Sequence, residues 1–355
     1  MITRDRNLGK GFSPAVAFGF LLLVPSLVTY RCYWRLKHIV RDRTALAQCA
    51  HRIGRSPTAE NTLGGDFKRY LLENNIPERL KELKSGLDGA SSAIIDRDLE
   101  FILNYPNRRS VFAENFLCEN QENLMLPKEI EILRHEQAVL KVLRAKGAIG
   151  GSESLVYEHG LKALPQSVKD YIKGKSFIDA GAWIGDSALV LRKYQPSKIY
   201  SFEISQKSLP QLRQNTANDK GLIEIIPYAL SSQEGYLSYD DMGGEGNSLF
   251  YSGDNRVKTI TLDSFFESGN RGKLGYIKAD IEGAEMDMLR GAKNIITRDR
   301  PVLVFCIYHN PEQFFEMKPM LESWGLNYKF LIRKQMGGPH IVETTLIAYP
   351  QELDE

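Results

Sequence analysis

The chain has 355 residues, 43% of them hydrophobic and 25% charged, which is enough for one large or two modest domains with a full core. The net charge of +2 hides an asymmetry: residues 1–57 carry ten Lys or Arg against Asp5 and Asp42, so the remainder is acidic and no nucleic-acid partner is implied. Cys32, Cys49, Cys118 and Cys306 are scattered without a C-x-x-C pair, which argues against a disulfide framework or a zinc site and fits a reducing, cytoplasmic compartment.

The basic first segment, 1–57, contains the uncharged run Phe12–Tyr30, 19 residues long and close to the ~20 that span a bilayer as a helix. Arg31, Arg35, Lys37, Arg41 and Arg43 follow it, which would leave the bulk of the chain on the cytoplasmic side of a membrane. Pro14, Pro25, Ser13, Ser26 and Thr29 support the other reading, a core or peripheral helix. Small residues of a cleavage site do not follow the run, which argues against a signal peptide.

From 58 to 154 the pattern is helical. Pro127–Lys146 is the clearest helix, with Pro127 at its start, Ile130, Leu133, Leu140 and Leu143 along one face, and Gly147 just past its end. Shorter helices are expected over 66–73, 77–84 and 91–103, broken by glycine pairs and by Tyr105-Pro106-Asn107. This region is expected to cap the catalytic part or to contribute acceptor specificity.

Beyond 155 strands and helices alternate. Strands are expected at 176–180, 198–203, 222–226, 275–280 and 301–308, with a helix after each except the third. A β excursion fills 235–260, with a mobile glycine loop at Gly243–Ser248, and a closing hairpin joins 327–333 to 341–348. The segment Ser176-Phe-Ile-Asp-Ala-Gly-Ala-Trp-Ile-Gly-Asp-Ser187 reads as a buried strand, a glycine turn and a helix start. Gly181 and Gly185 let the backbone approach a ligand, and amides at the helix start favour an anion. The second strand ends in Glu203, where an acid accepts from the two hydroxyls of a ribose. The glycines fall as G-x-x-x-G rather than G-x-G-x-x-G, which disfavours a dinucleotide.

A third group of motifs lies a hundred residues on: Thr261-Leu-Asp263, then Gly275-Tyr-Ile-Lys-Ala-Asp-Ile-Glu-Gly-Ala-Glu285, then Leu289-Arg-Gly-Ala292. Taken with Phe177-Ile-Asp-Ala-Gly-Ala182, Gly185-Asp186, Tyr308-His-Asn-Pro311 and Glu343-Thr-Thr-Leu346, this order resembles the FkbM family of methyltransferases over residues 155–350. Ala279, where many relatives carry Ile or Val, and Trp183, where many carry a small or polar residue, depart from the pattern. The resemblance implies a Rossmann-like seven-stranded methyltransferase sheet over 155–355, with a helical N-terminal extension. It also implies methyl transfer from S-adenosylmethionine, usually to a hydroxyl oxygen of a sugar, glycan or secondary metabolite, so the partner is a small-molecule or glycan acceptor.

On that reading Asp179, Gly181, Gly185 and Glu203 hold the cofactor, and Ala229, in Tyr228-Ala-Leu-Ser231, lies where the family places adenine contacts. Asp280 is expected to hold or deprotonate the acceptor, with Glu282 beside it. His309 is an alternative near-neutral base. Glu282 and Glu285 have a second reading as fixers of the turn, Glu285 through its own helix start. No metal is assigned, although Asp280, His309 and Asn310 offer ligands suited to Mg or Mn. A nicotinamide-dependent sugar oxidoreductase and a non-catalytic binding module of the same fold are the rival functions, and the oligomeric state leaves no signal in the sequence.

Overall fold

The computed structural model describes residues 63–104, 127–241, 253–337 and 341–354. The run Phe12–Tyr30, with the rest of 1–57, and the glycine loop Gly243–Ser248 lie outside the described residues. Among the described residues no helix is long and apolar enough to cross a membrane.

Seven strands form one sheet: β1 (Ser176–Ala180), β2 (Lys198–Phe202), β3 (Ile223–Ile226), β7 (Leu274–Ala279), β8 (Val302–Cys306), β9 (Tyr328–Lys334) and β10 (Thr344–Pro350), in the order β3-β2-β1-β7-β8-β10-β9. Six run in one direction, and β10 alone is reversed, antiparallel between β8 and β9, so the closing hairpin inserts its second strand inside its first. Three further strands, β4 (Ala229–Leu230), β5 (Gly235–Tyr239) and β6 (Asn255–Ile260), make a small separate sheet, the expected β excursion. The central strands are buried along their whole length, as a parallel sheet covered on both faces requires. Phe177, Ile199, Tyr276, Val304 and Ile347 meet in one core cluster. Each such burial contributes ~1.5–3 kcal/mol.

Helices α1 (Leu63–Glu73), α2 (Ile76–Lys84), α3 (Gly89–Asn104) and α4 (Pro127–Ala145) match the expected helical region to within three residues at their ends. They are followed by α5 (Ser152–Leu155) and α6 (Gln166–Ile172), then by α7 (Asp186–Leu191) after β1 and α8 (Leu209–Asn215) after β2. α9 (Leu262–Glu267) precedes β7, α10 (Glu285–Arg290) and α11 (Lys293–Asp299) follow it, and α12 (Pro311–Ser323) follows β8. Residues Ala59–Glu355 form one compact unit that includes both α1–α4 and the sheet. Phe67 meets Phe314 edge-on at 5.8 Å between ring centroids, and Tyr70 stacks on Phe315 at 5.1 Å, so α1 rides on α12. α3 lies along β9, where the Ile332 amide donates to Ser91 Oγ at 2.9 Å and Arg333 pairs with Asp88 at 2.6 Å.

The sheet reverses its order between β1 and β7, and it is beyond the carboxyl ends of such strands that open α/β sheets bind ligands. Three carboxyl strand ends fall short of expectation, β8 among them at Cys306 rather than 308. β2 stops at Phe202 and β7 at Ala279, so Glu203 and Asp280 are each the first residue past a strand. The last strand begins at Thr344 rather than 341 because Glu343 takes a left-handed φ of 64°, which ends the ladder there.

Candidate active site

The turn after β1 carries three positive φ angles, Gly181 at 78°, Trp183 at 44° and Gly185 at 89°. At Gly181 glycine is required because a Cβ would lie 1.8 Å from the Asp280 carbonyl oxygen, so the close approach comes from the end of β7. At Gly185 a Cβ would meet Leu212 Cδ1 at 2.8 Å and Thr216 Cγ2 at 3.0 Å, and the glycine lets α8 pack on the turn. The amides of this turn are already engaged: Gly181 and Ala182 donate to the Phe202 carbonyl, each at 3.0 Å, and Gly185 donates to Ala182 at 2.7 Å. Asp186 is buried at the start of α7, and burial raises its pKa.

Glu203 sits beside the turn, 8% exposed. Its Oε2 accepts from the Trp183 amide and its Oε1 from the Ser205 amide, both at 2.7 Å. Burial raises its pKa, against the pull of these amides. One carboxylate thus fixes the turn after β1 to the tip of β2 and keeps one further lone pair on each oxygen. Ala229 is buried on β4, packed with Tyr239 and Val257 and against Ile204, the neighbour of Glu203. The structure therefore brings Asp179, Gly181, Gly185, Glu203 and Ala229 into one neighbourhood.

Asp179 is fully buried. Its Oδ2 accepts from Ser201 Oγ at 3.3 Å, while Oδ1 has no hydrogen bond and stands 3.6 Å from Lys278 Nζ. Burial pushes Asp179 up to about 6, Lys278 opposing and Asp186 adding. Lys278 is the residue that sequence reasoning missed. It is the cross-strand partner of Asp179 and donates to the carbonyls of Gly181 at 2.7 Å and Ala180 at 3.3 Å. Burial works against its charge, but Asp179 and Asp280 outweigh burial and hold its pKa above the ordinary lysine value.

Past β7 the chain turns through Glu282 at φ 55° and Gly283 at 109° into α10. Glu285, fully buried, accepts from the amides of Ile281 at 2.7 Å and Gly283 at 3.0 Å and also from Gln313 Nε2. This matches its expected reading as the residue that ties the turn. His309, past the end of β8, lies inside three carboxylates: Glu285 at 3.1 Å from Nδ1, and Asp280 at 3.4 Å and Glu282 at 3.7 Å from Nε2. Burial pulls its pKa down, but these three acids outweigh it and raise it from 6.5 to about 10. The surrounding acids favour the protonated form of His309, which weighs against the near-neutral base expected of it. Asp280 Oδ1 is buried and accepts no hydrogen bond, and the Asp280 amide donates to the Ala180 carbonyl at 3.1 Å. The two expected groups, around Asp179 and around Asp280, are thus one continuous site.

Asp280, Glu285 and His309 have donor atoms within 4.8 Å of one another, as a divalent ion would need. Glu285 also accepts from two backbone amides, and Asn310 caps α12, its Oδ1 accepting from Gln313 at 3.0 Å and its Nδ2 donating to Gly283 at 3.3 Å. Glu343 is another acid near Asp280 that sequence reasoning did not single out for chemistry. Its pKa is raised well above the usual value by burial and then by Asp280.

Residues 179–330 match the sequence profile described as the methyltransferase FkbM domain. A curated relative, the hexuronic acid methyltransferase AglP of Haloferax volcanii, is 28% identical over 129 residues, which are 36% of this chain and 53% of the relative. The chain thus spans about half the length of the curated relative it matches. Among solved structures, a methyltransferase FkbM from Methylobacillus flagellatus KT superimposes with a TM-score of 0.52 at 19% identity, covering 80% of this chain and 61% of that one, a likeness of fold. The ordered motifs and the sheet agree with this profile match, which makes residues 179–330 similar to the FkbM methyltransferase domain.

Proposed function

We propose that the protein is an S-adenosylmethionine-dependent O-methyltransferase acting on a hydroxyl of a carbohydrate, with a uronic-acid sugar as the first acceptor class to test. The observation that carries this reading is Asp280, the first residue past β7, whose carbonyl oxygen lies against the glycine turn and whose buried Oδ1 accepts no hydrogen bond and stands 3.4 Å from His309 Nε2. The curated relative's name supplies the uronic acid.

The crevice fits the cofactor's polar groups. Glu203 has a lone pair left for a ribose hydroxyl, and the buried Asp179 Oδ1 carries no hydrogen bond, so it retains acceptor capacity for an ammonium. When bound, the cofactor supplies a methyl group that is already electrophilic. The chain's task is then positioning and proton removal. Asp280 accepts the acceptor's O–H hydrogen bond and takes that proton as the oxygen becomes methylated. His309, whose protonated form the surrounding acids favour, stands 3.4 Å from Asp280 Oδ1 and fixes the carboxylate's direction. Glu285 fixes both His309 and the turn that carries Glu282. A nicotinamide dinucleotide is disfavoured because the amides that would cradle its pyrophosphate are tied to Phe202, Ala182 and Glu203.

The test is incubation with labelled S-adenosylmethionine and a panel of uronic-acid and neutral oligosaccharides, read by mass spectrometry for one added methyl group. Binding of S-adenosylhomocysteine is followed separately by calorimetry. Binding of nicotinamide dinucleotide but not S-adenosylhomocysteine would refute the proposal.

A further inference from the structure

Four carboxylates, Asp179, Asp186, Glu203 and Asp280, converge at the carboxyl ends of β1, β2 and β7, and the charge of Lys278 acts on all of them. The Lys278 side chain is 6% exposed and points across the sheet from β7 to β1. An ammonium has three donors. In Lys278 two of them go to the carbonyls of Ala180 and Gly181, and the charge lies 3.6 Å from Asp179 Oδ1. An isolated buried carboxyl would hold its proton and could not attract a cation. Asp179 is faced by Lys278 from β7, by the Ser201 hydroxyl from β2 and by Asp186 from α7, with the Tyr276 phenol also nearby; Lys278 is further faced by His159, Asp280 and Cys306. Lys278 is thus the group facing Asp179 that favours its ionised form most.

We propose, resting on the reading that Asp179 receives the cofactor's α-ammonium, that Lys278 is a positioning residue that keeps the Asp179 carboxylate charged and shapes the turn around it. A lysine that merely glued β1 to β7 would change stability and leave the pH profile of ligand binding unmoved. A lysine with the proposed role sets that profile.

The experiment is calorimetric titration of the full chain with S-adenosylhomocysteine from pH 5 to 9. Wild-type affinity should fall as pH drops through about 6, and Asp179→Asn should be weak and flat. In Lys278→Met the midpoint should rise by one pH unit or more, with at least tenfold weaker binding at pH 7 that recovers toward pH 9. If that variant does not fold, Lys278→Gln, which keeps a donor for the Gly181 carbonyl without the charge, reads the same shift. A midpoint equal to wild type in either variant overturns the proposal, as does a wild-type profile with no inflection below pH 7. Glu203→Ala separates the two failures. Unchanged affinity there sinks the cofactor-site reading itself, whereas weakened affinity together with an unshifted Lys278 profile sinks only the role of Lys278.

Discussion

Gly181→Ala is the sharpest test of how the site is built. The new methyl carbon would lie 1.8 Å from the Asp280 carbonyl oxygen. Non-bonded heavy atoms sit comfortably near ~3.5 Å, so the end of β7 must retreat by roughly 1.5 Å or the turn must open. Alanine at φ 78° costs ~1–2 kcal/mol on its own. Retreat also stretches the bond from the Asp280 amide to the Ala180 carbonyl, worth ~1 kcal/mol. The expected loss of stability is therefore about 3 kcal/mol, read as a lower urea midpoint at unchanged slope. Gly185→Ala is the control. It shares a left-handed backbone but presses on the Leu212 and Thr216 methyl groups, which can rotate, so ~1–2 kcal/mol is expected. If Gly181→Ala costs no more than Gly185→Ala, the contact between the turn and Asp280 is not what requires a glycine. Because the clash displaces Asp280, kcat should also fall more than the affinity for S-adenosylhomocysteine.

Glu203→Ala should weaken S-adenosylhomocysteine binding by about 1–3 kcal/mol and also lower stability by about 2–4 kcal/mol, since the Trp183 and Ser205 amides lose a charged acceptor; calorimetry and urea unfolding read the two effects separately. Asp280→Asn should reduce turnover by about a hundredfold or more with ligand affinity nearly intact, and equal losses in both would remove Asp280 from the transition state. His309 has a folded pKa of about 10 against 6.5 unfolded, so its contribution to stability is complete below pH 6.5 and is lost as pH rises through 10. Wild-type stability should accordingly fall more steeply between pH 7 and 10 than that of His309→Gln, and the wild-type rate profile should show no inflection near 6.5 that disappears in this variant.

Much of the frame was legible because single residues mark it. Asp179, Glu203 and Asp280 each follow or end a run of strand-forming residues, and a run that stops at an acid predicts a strand tip. What the sequence withholds is what depends on strand order. Lys278 looks like an ordinary strand residue until β7 lies beside β1 and the lysine falls opposite Asp179. The charge of His309 is likewise set by acids 24 to 29 residues away in the chain, and no local pattern reports it. The sequence also does not report that a Cβ at Gly181 would meet the Asp280 carbonyl oxygen, a contact that exists only once β7 lies beside β1. The inserted hairpin places β10 inside β9, an order that hydrophobic periodicity does not encode.

That insertion leaves β9 as the last strand of the sheet, with the outward amide of Ile332 answered by a serine hydroxyl from α3. An uncovered strand margin recruits another chain. The stretch that carries the family signature, 179–330, contains neither α3 nor β10 and only the first residues of β9. A fragment cut at those limits would be an opened sheet prone to stacking and self-association. The margin of the sheet is thus covered by α3, a helix that lies outside the stretch matched by the family profile.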